Sequence, residues 1–200
     1  MKRILILPLL MALVFISCDK KTAETTCDDF PLETPTLTKE SDYQIINLIL
    51  ENYYSDYQFI NIVQKTDDAS SSEVDYIKVA LIGQNIEYDS LSLLDYSEKN
   101  TFAYYLSYGL MIGSVQLINP MELDCIFSNQ DYGWEKYYQK YPESNGYFSF
   151  SRPGFNQEGN EAIIEYGWFG GPLAAEGHLI ILEKTDGSWK IVQHLLTWIS

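Results

Sequence analysis

Two histidines are the only side chains of this sequence suited to acid–base chemistry near neutral pH. They are His178 and His194, and imidazole is the group whose ordinary pKa lies in that range. Neither histidine lies in a GxSxG, SxxK or HExxH motif, which would supply a nucleophile or a metal site. Both fall in segments with strand patterns, so the sequence predicts structural histidines and no catalytic residue.

Carboxylates occur in pairs, at Asp28-Asp29 and at Asp67-Asp68. Both pairs lie in polar segments, which favours a solvated surface over the paired carboxyl groups of a glycosidase. The sequence contains no calcium-binding loop, no glycine-rich phosphate loop and no Cys or His pair at metal-ligand spacing. We therefore expect neither a metal nor a cofactor.

Arg152 is the only arginine that follows Arg3. It precedes a Pro153-Gly154 turn in a chain with a formal charge of −15. A guanidinium in such surroundings either pairs with a carboxylate to hold the fold or anchors an anionic ligand. Both roles are open from the sequence.

A YYxxY pattern occurs three times, at residues 53–57, 104–108 and 137–141. Tyrosines at this spacing on a helix share a face and commonly cover the edge of a core with their hydroxyls in water. The alternative is an aromatic platform for sugar rings or for a partner protein. The candidate ligand contacts are accordingly Arg152, Tyr104, Tyr105 and Tyr108.

The first 17 residues have the pattern of a signal peptide. Lys2 and Arg3 precede an apolar run of 13 residues, from Ile4 to Ile16, which is shorter than the roughly 20 residues of a membrane-spanning helix. Phe15-Ile16-Ser17-Cys18 resembles a bacterial lipobox, which implies cleavage before Cys18 and a lipid anchor with palmitate on that cysteine. The alternative is an ordinary secretory signal followed by a coincidental cysteine.

The composition predicts a folded, acidic domain. The 200 residues are 46% hydrophobic and 14% aromatic, which is too apolar for a disordered chain. The excess of acidic residues excludes electrostatic binding of nucleic acid. It also means that acyl chains, rather than a basic patch, would hold the protein to a membrane.

Two further cysteines, Cys27 and Cys125, form an even pair for an oxidising compartment. A disulfide between them is one interpretation, and two unpaired thiols are the other. Residues 18–40 are rich in threonine with two prolines and predict a flexible tether. The single folded domain is expected at residues 41–200.

Helical signals dominate the first part of this domain. A capping box at Ser41–Gln44 begins a helix to about Tyr54, and helices are also predicted at residues 102–106, 121–127 and 134–141. Residues 57–65 predict a strand. Residues 74–82 fit a strand or a helix.

The last 54 residues predict four antiparallel strands. Segments at residues 147–151, 161–169, 178–184 and 189–198 are separated by Pro-Gly, Gly-Gly-Pro and Asp-Gly turns. Early helices followed by a meander indicate an α+β fold, with the N-terminal helices packed on the C-terminal antiparallel sheet.

The C-terminal sequence SFSRPGFN, followed by GPLAAEGHLIILEKTDGSWKIV and WIS, resembles that of small uncharacterised lipoproteins from Gram-negative cell envelopes. The resemblance covers residues 147–200 and the lipobox. The terminal GxWKI hairpin is also similar to the last hairpin of nuclear-transport-factor and cystatin-like rolls. The resemblance implies an envelope location and supplies no activity or site residues.

These patterns together predict a lipid-anchored, extracytoplasmic binding or interaction module with an envelope protein or glycan as its partner. The alternative is a small hydrolase or isomerase with a pocket between sheet and helices. A pocket that holds His178, His194 or Glu176 with shifted pKa values would favour the enzyme.

Overall fold

The computed structural model describes Cys27 and residues 30–128 and 132–200. The signal segment, Cys18 and Asp28-Asp29 lie outside the described residues. Helices flank both faces of one mixed sheet, and they lie mostly before the long C-terminal strands. The predicted α+β class is confirmed.

Five α-helices and one short 3-10 turn lie between the first and last described residues: α1 Glu40–Tyr53, α2 Ser71–Gly83, α3 Ser90–Lys99, α4 Pro120–Ile126, α5 Gly133–Lys140, and the 3-10 turn at Tyr108–Leu110. The capping box predicted at Ser41 is wrong, because α1 begins one residue earlier and Lys39 caps it without a side-chain bond. A capping box does form at α2, where Ser70 and Glu73 bond reciprocally. Helix α2 contains residues 74–82, for which the sequence left a strand and a helix open.

Seven strands form the sheet: β1 Ile60–Val63, β2 Val115–Ile118, β3 Tyr147–Phe150, β4 Gly154–Phe155, β5 Glu161–Gly171, β6 Ala174–Thr185 and β7 Ser188–Ile199. Their order is β2-β1-β3-β5-β6-β7, with β4 paired to β5. Strand β1 pairs in parallel with β2 and with β3. The strands from β3 onward pair antiparallel and form the predicted meander.

One predicted helix is wrong. Residues 102–106 are irregular, and Tyr105 forms an isolated bridge with Lys65. Strand β2 lies between this segment and α4, in a region for which the sequence predicted no strand. The helices predicted at 121–127 and 134–141 are present as α4 and α5.

Side chains alternate between the two faces of the sheet and bury a core on each. Ile164, Tyr166 and Ile180 pack with α1 on one face. Ile163, Leu179 and Ile181 pack with α2 and α3 on the other. Successive residues along β5 and along β6 thus face opposite sides of the sheet. The same alternation places the carboxyl groups of the cleft on one side and the two histidines on the other.

The segment 30–39 lies against the domain and is not a free tether. The amides of Thr36 and Leu37 donate to the Tyr105 carbonyl oxygen at 2.9 and 3.0 Å, and Leu37 is buried. A disulfide joins Cys27 to Cys125 at the end of α4. The folded domain therefore begins well before Ser41. Within the described residues, no helix combines the length and apolar character needed to cross a bilayer.

Candidate functional site

A cleft of about 280 Å³ opens on the face of the sheet that α2 and α3 cover. Four carboxyl groups line it, those of Asp67, Asp68, Glu73 and Glu165. None of the described lining residues is a lysine or an arginine. The cleft therefore concentrates negative charge without a basic side chain in its wall.

Small residues on neighbouring strands make room for the cleft. Gly167 of β5 pairs with Gly177 of β6 on one side and with Ser149 of β3 on the other. A Cβ atom on Gly177 would overlap the Trp198 indole, and one on Gly167 would lie 2.9 Å from Phe169 Cε2. The glycines thus allow Phe169 and Trp198 to lie close to the sheet and form aromatic walls of the cleft.

Glu165 has a carboxyl group whose ionisation differs from that of an ordinary glutamate. Burial raises its pKa to about 7, and the negative charges of Glu73 and Asp67 add to this rise. Tyr96 donates a hydrogen bond from its hydroxyl to Glu165 Oε2 at 2.7 Å, which favours the ionised form and opposes the shift. Glu165 can consequently exchange a proton near neutral pH.

Helix α3 positions the Tyr96 side chain against Glu165. At Gly154, a Cβ atom would collide with the backbone of Tyr96 and Ser92, so only glycine allows β4 and α3 to approach this closely. Ser92 donates to Glu161 Oε1 at 2.7 Å and ties the same helix to β5. Burial raises the pKa of Tyr96, which keeps its hydroxyl protonated as a donor.

Asp67 is the second carboxyl group of the cleft with a raised pKa. Its surface is exposed in the cleft, yet the surrounding protein desolvates its carboxyl group, and this burial is the main cause of the raised pKa. Nearby Asp68 and Glu73 also raise it, while a hydrogen bond with Ser149 and the charge of Lys65 lower it. Asp67 and Asp68 are both exposed, as the sequence predicted, and both line the cleft.

The two histidines lie together on the other face of the sheet. His194 Nε2 is 2.9 Å from His178 Nδ1, and His178 Nε2 is 3.2 Å from Glu176 Oε1. The His178 ring is buried and stacks on Tyr166 at 4.7 Å between ring centres. Desolvation, together with the neighbouring His178, lowers the pKa of His194. His178 and Tyr166 border the cleft, but strand alternation directs their side chains toward α1.

Tyr54, which follows α1, and Tyr166 of β5 form a tyrosine pair beside the two histidines. The Tyr54 hydroxyl donates to the Tyr166 hydroxyl at 3.1 Å, and burial raises the pKa of Tyr54 to about 12. Tyr53 lies against His194, with ring centres 4.6 Å apart. The first YYxxY segment therefore packs against the histidine pair.

Arg152 is a buried structural residue and is not available to an anionic ligand. Its Nε and Nη2 atoms lie 3.1 and 3.0 Å from Asp42 Oδ2, and its guanidinium lies 4.4 Å from the centre of the Tyr104 ring. Asn100 also bonds to both the amide and the carbonyl of Arg152. The prediction of a ligand contact at Arg152 and Tyr104 is wrong, because their partners lie inside the protein.

The remaining tyrosines do not form one platform. The Tyr105 carbonyl binds the 30–39 segment, whereas Tyr108 is exposed in the 3-10 turn. Tyr137 is buried, and Trp134 and Tyr147 stack on each other beside it. The three YYxxY segments thus lie in three different environments, and none of them lines the acidic cleft.

Sequence reasoning missed Glu165 and Tyr96. Glu165 lies in the alternating EAIIEYGWF segment, where a glutamate between apolar residues is the one signal of an unusual environment. Tyr96 has no such signal. Its relation to Glu165 depends on the packing of α3 against β5, across 69 residues of sequence.

Within the described residues, no group of three or more His, Cys, Asp or Glu side chains could hold a metal ion. Comparisons of the chain with protein-family models, curated proteins and solved structures found no match.

Proposed function

We propose that this protein is a lipid-anchored binding module of the cell envelope whose acidic cleft holds the cationic group of a ligand or partner. The envelope location rests on the basic N-terminus, the apolar run before Cys18 and the resemblance of the C-terminal strands to envelope lipoproteins. The binding function rests on the cleft itself.

The observation that carries the binding function is the Glu165 carboxyl group. It is desolvated, it lies near other carboxyl groups, and within the part of the chain that the structure describes its hydrogen-bond partner is the Tyr96 hydroxyl. A carboxylate in such a place is costly unless it is protonated or paired with a cation. A bound cation supplies the missing opposite charge.

The walls of the cleft fit an organic cation better than a bare metal ion. Phe169, Trp198 and Tyr76 line it beside the carboxyl groups, and aromatic faces attract ammonium and guanidinium groups. The described residues contain no three-ligand metal group. Such a cation can be a free amine, or it can be the lysine or arginine side chain of a basic protein.

Binding is expected to tighten as pH rises through 7. Glu165 loses its proton over this range, since its pKa is about 7, and the ionised form attracts a cation more strongly. The dependence follows from linkage, because a ligand that prefers the ionised form lowers the pKa of that group.

Isothermal titration calorimetry at pH 8 tests the proposal with three probes: ethylguanidinium, butylammonium and tetramethylammonium. We expect at least one probe to bind, and Glu165→Gln to weaken that binding about tenfold, which corresponds to roughly 1.4 kcal/mol. Glu51→Gln is the matched control, because Glu51 is exposed on α1, across the sheet from the cleft. Equal binding by wild type and Glu165→Gln would reject the role of Glu165.

The pKa of Glu165 also favours a second candidate, a hydrolase that uses this carboxyl group as a general acid. General acids work best with pKa values near the operating pH, and Asp68 or Glu73 would supply the second carboxylate. Release of nitrophenol from nitrophenyl glycosides tests this reaction. Turnover that Glu165→Gln abolishes supports the enzyme, and no turnover above that variant rejects it.

A further inference from the structure

The histidine pair on the α1 face has a geometry that the cleft does not explain. His178 and His194 lie on adjacent antiparallel strands, and their nitrogens Nδ1 and Nε2 are 2.9 Å apart. The chain has no other histidine. The pairing of β6 with β7 has thus brought together both imidazoles of the protein.

We infer that His178 Nδ1 and His194 Nε2 are two ligands of a divalent transition-metal site with a preference for Cu²⁺. This inference is independent of the function proposed for the acidic cleft, since the two groups lie on opposite faces of the sheet.

The position of Glu176 favours the His178 tautomer that has its lone pair on Nδ1, the nitrogen that contacts His194. His178 Nε2 is buried and has no hydrogen-bond partner of good geometry among the described residues, and the nearest acceptor is Glu176 Oε1 at 3.2 Å. A small rotation of Glu176 lets it accept the Nε2 proton, which places the lone pair on Nδ1. Metal-bound histidines are typically held in this way by a carboxylate on the other nitrogen.

The two nitrogens are already about as far apart as two ligands of one metal ion. Two metal–nitrogen bonds of about 2.0 Å that meet at 90° place their nitrogens about 2.8 Å apart, whereas a tetrahedral angle requires about 3.3 Å. The observed 2.9 Å is the length of the hydrogen bond between the rings and lies between these two values. Square-planar and tetragonal sites with nitrogen ligands are typical of Cu²⁺, which also has the highest affinity in the divalent series.

The site has one buried and one accessible ligand. His178 is 7% exposed and is fixed between Tyr166 and Glu176, whereas His194 is exposed. A metal ion can reach the pair from the His194 side, and the two remaining coordination positions are open to water or to a small ligand. When the metal binds, the proton shared between the rings moves through solvent from His194 Nε2 to His194 Nδ1, and the lone pairs of His178 Nδ1 and His194 Nε2 then both face the metal.

Titration of the purified protein with CuSO₄ in a non-coordinating buffer, followed by electron paramagnetic resonance, tests the inference. We expect one Cu²⁺ per chain with hyperfine splitting from two imidazole nitrogens. His194→Gln should weaken this binding at least tenfold, and Glu176→Gln should weaken it about tenfold while both histidines remain. Glu158→Gln, which removes an exposed carboxylate elsewhere, should leave it unchanged.

The melting temperature of each metal-free variant separates loss of the site from loss of the fold. If His194→Gln is unstable, Glu176→Gln and the nitrogen splitting of the wild type decide the question alone. A copper spectrum that is the same in wild type and His194→Gln would overturn the inference, as would a wild-type spectrum without imidazole nitrogens. The histidines would then form a hydrogen-bonded pair only.

Discussion

Glu165 contributes stability to the fold only while it carries its proton. Its pKa is about 7 in the folded protein against an ordinary value of 4.5, so the folded state binds the proton more tightly than the unfolded chain. The stabilisation is complete below pH 4.5 and is lost as pH rises to 7, because ionisation then occurs inside the desolvated cleft.

Glu165→Gln should therefore stabilise the protein above pH 7 and have little effect near pH 4.5. Glutamine is neutral at every pH and retains an acceptor for Tyr96. The gain at pH 8 is expected to be about 1 to 3 kcal/mol, measured by urea denaturation. Glu51→Gln should follow the wild-type pH dependence. Parallel curves for wild type and Glu165→Gln from pH 4.5 to 8 would contradict the shifted pKa.

Arg152→Lys should destabilise the fold without affecting the cleft. Lysine retains the charge but cannot direct two nitrogens to Asp42 Oδ2 while it covers the Tyr104 ring. We expect a loss of about 1 to 3 kcal/mol in unfolding free energy. Lys78→Arg, at an exposed ion pair with Asp75, serves as the control with no change. Unchanged stability in Arg152→Lys would show that the buried pair is not formed.

Residue types alone could not assign these roles. The sequence singled out Arg152, but its partner Asp42 lies 110 residues away, in a segment whose pattern predicted only a helix start. It also dismissed a metal at the histidines, because a separation of 16 residues is not a local ligand spacing. Pairing between β6 and β7 brings them together.

Among the elements, the long strands could be predicted from their alternating pattern and from the turn residues between them. The alternation in β5, β6 and β7 and the Asp-Gly turn predicted the meander. Short elements depended on tertiary contacts. Strand β2 has four residues and pairs in parallel with β1, so no local turn indicates its position. The aromatic segment 102–106 is apolar because it packs beside β1 and Arg152, and not because it is helical.

The disulfide connects the 30–39 segment to α4 and should be a major source of stability. Cys27 and Cys125 are 98 residues apart, for which the chain-entropy model gives about 4 to 5 kcal/mol. The double substitution of both cysteines by serine should lower the unfolding free energy by a large part of this amount. Thermal and urea denaturation measure the loss. Two alkylatable thiols in the unreduced wild-type protein would contradict the bridge.

At the scale of the whole molecule, the formal charge of −15 opposes contact with anionic headgroups. The proposed acyl anchor must then provide the membrane affinity. Cys18→Ala should abolish the incorporation of labelled palmitate and release the protein from membranes. Cys125→Ser is a suitable control, since it alters the bridge and not the lipobox. Continued labelling of Cys18→Ala would reject the anchor.

The charge of the whole molecule also determines which partners can approach the cleft. Long-range attraction favours cations and basic proteins, and the four carboxyl groups of the cleft concentrate this effect where aromatic walls can bind an organic cation. Added salt should therefore weaken the association, and more strongly for a basic protein than for a single small cation.

A cation that replaces the proton of Glu165 must lower the pKa of this carboxyl group when it binds. Carbon-13 NMR of the Glu165 carboxyl group gives its pKa in the free protein and in the presence of the tightest-binding of the three probe cations. We expect a pKa of about 7 in the free protein and a decrease of at least about one pH unit at saturation, equivalent to roughly 1.4 kcal/mol of coupling. A pKa near 4.5 in the free protein, or one that saturating cation leaves unchanged, would contradict it.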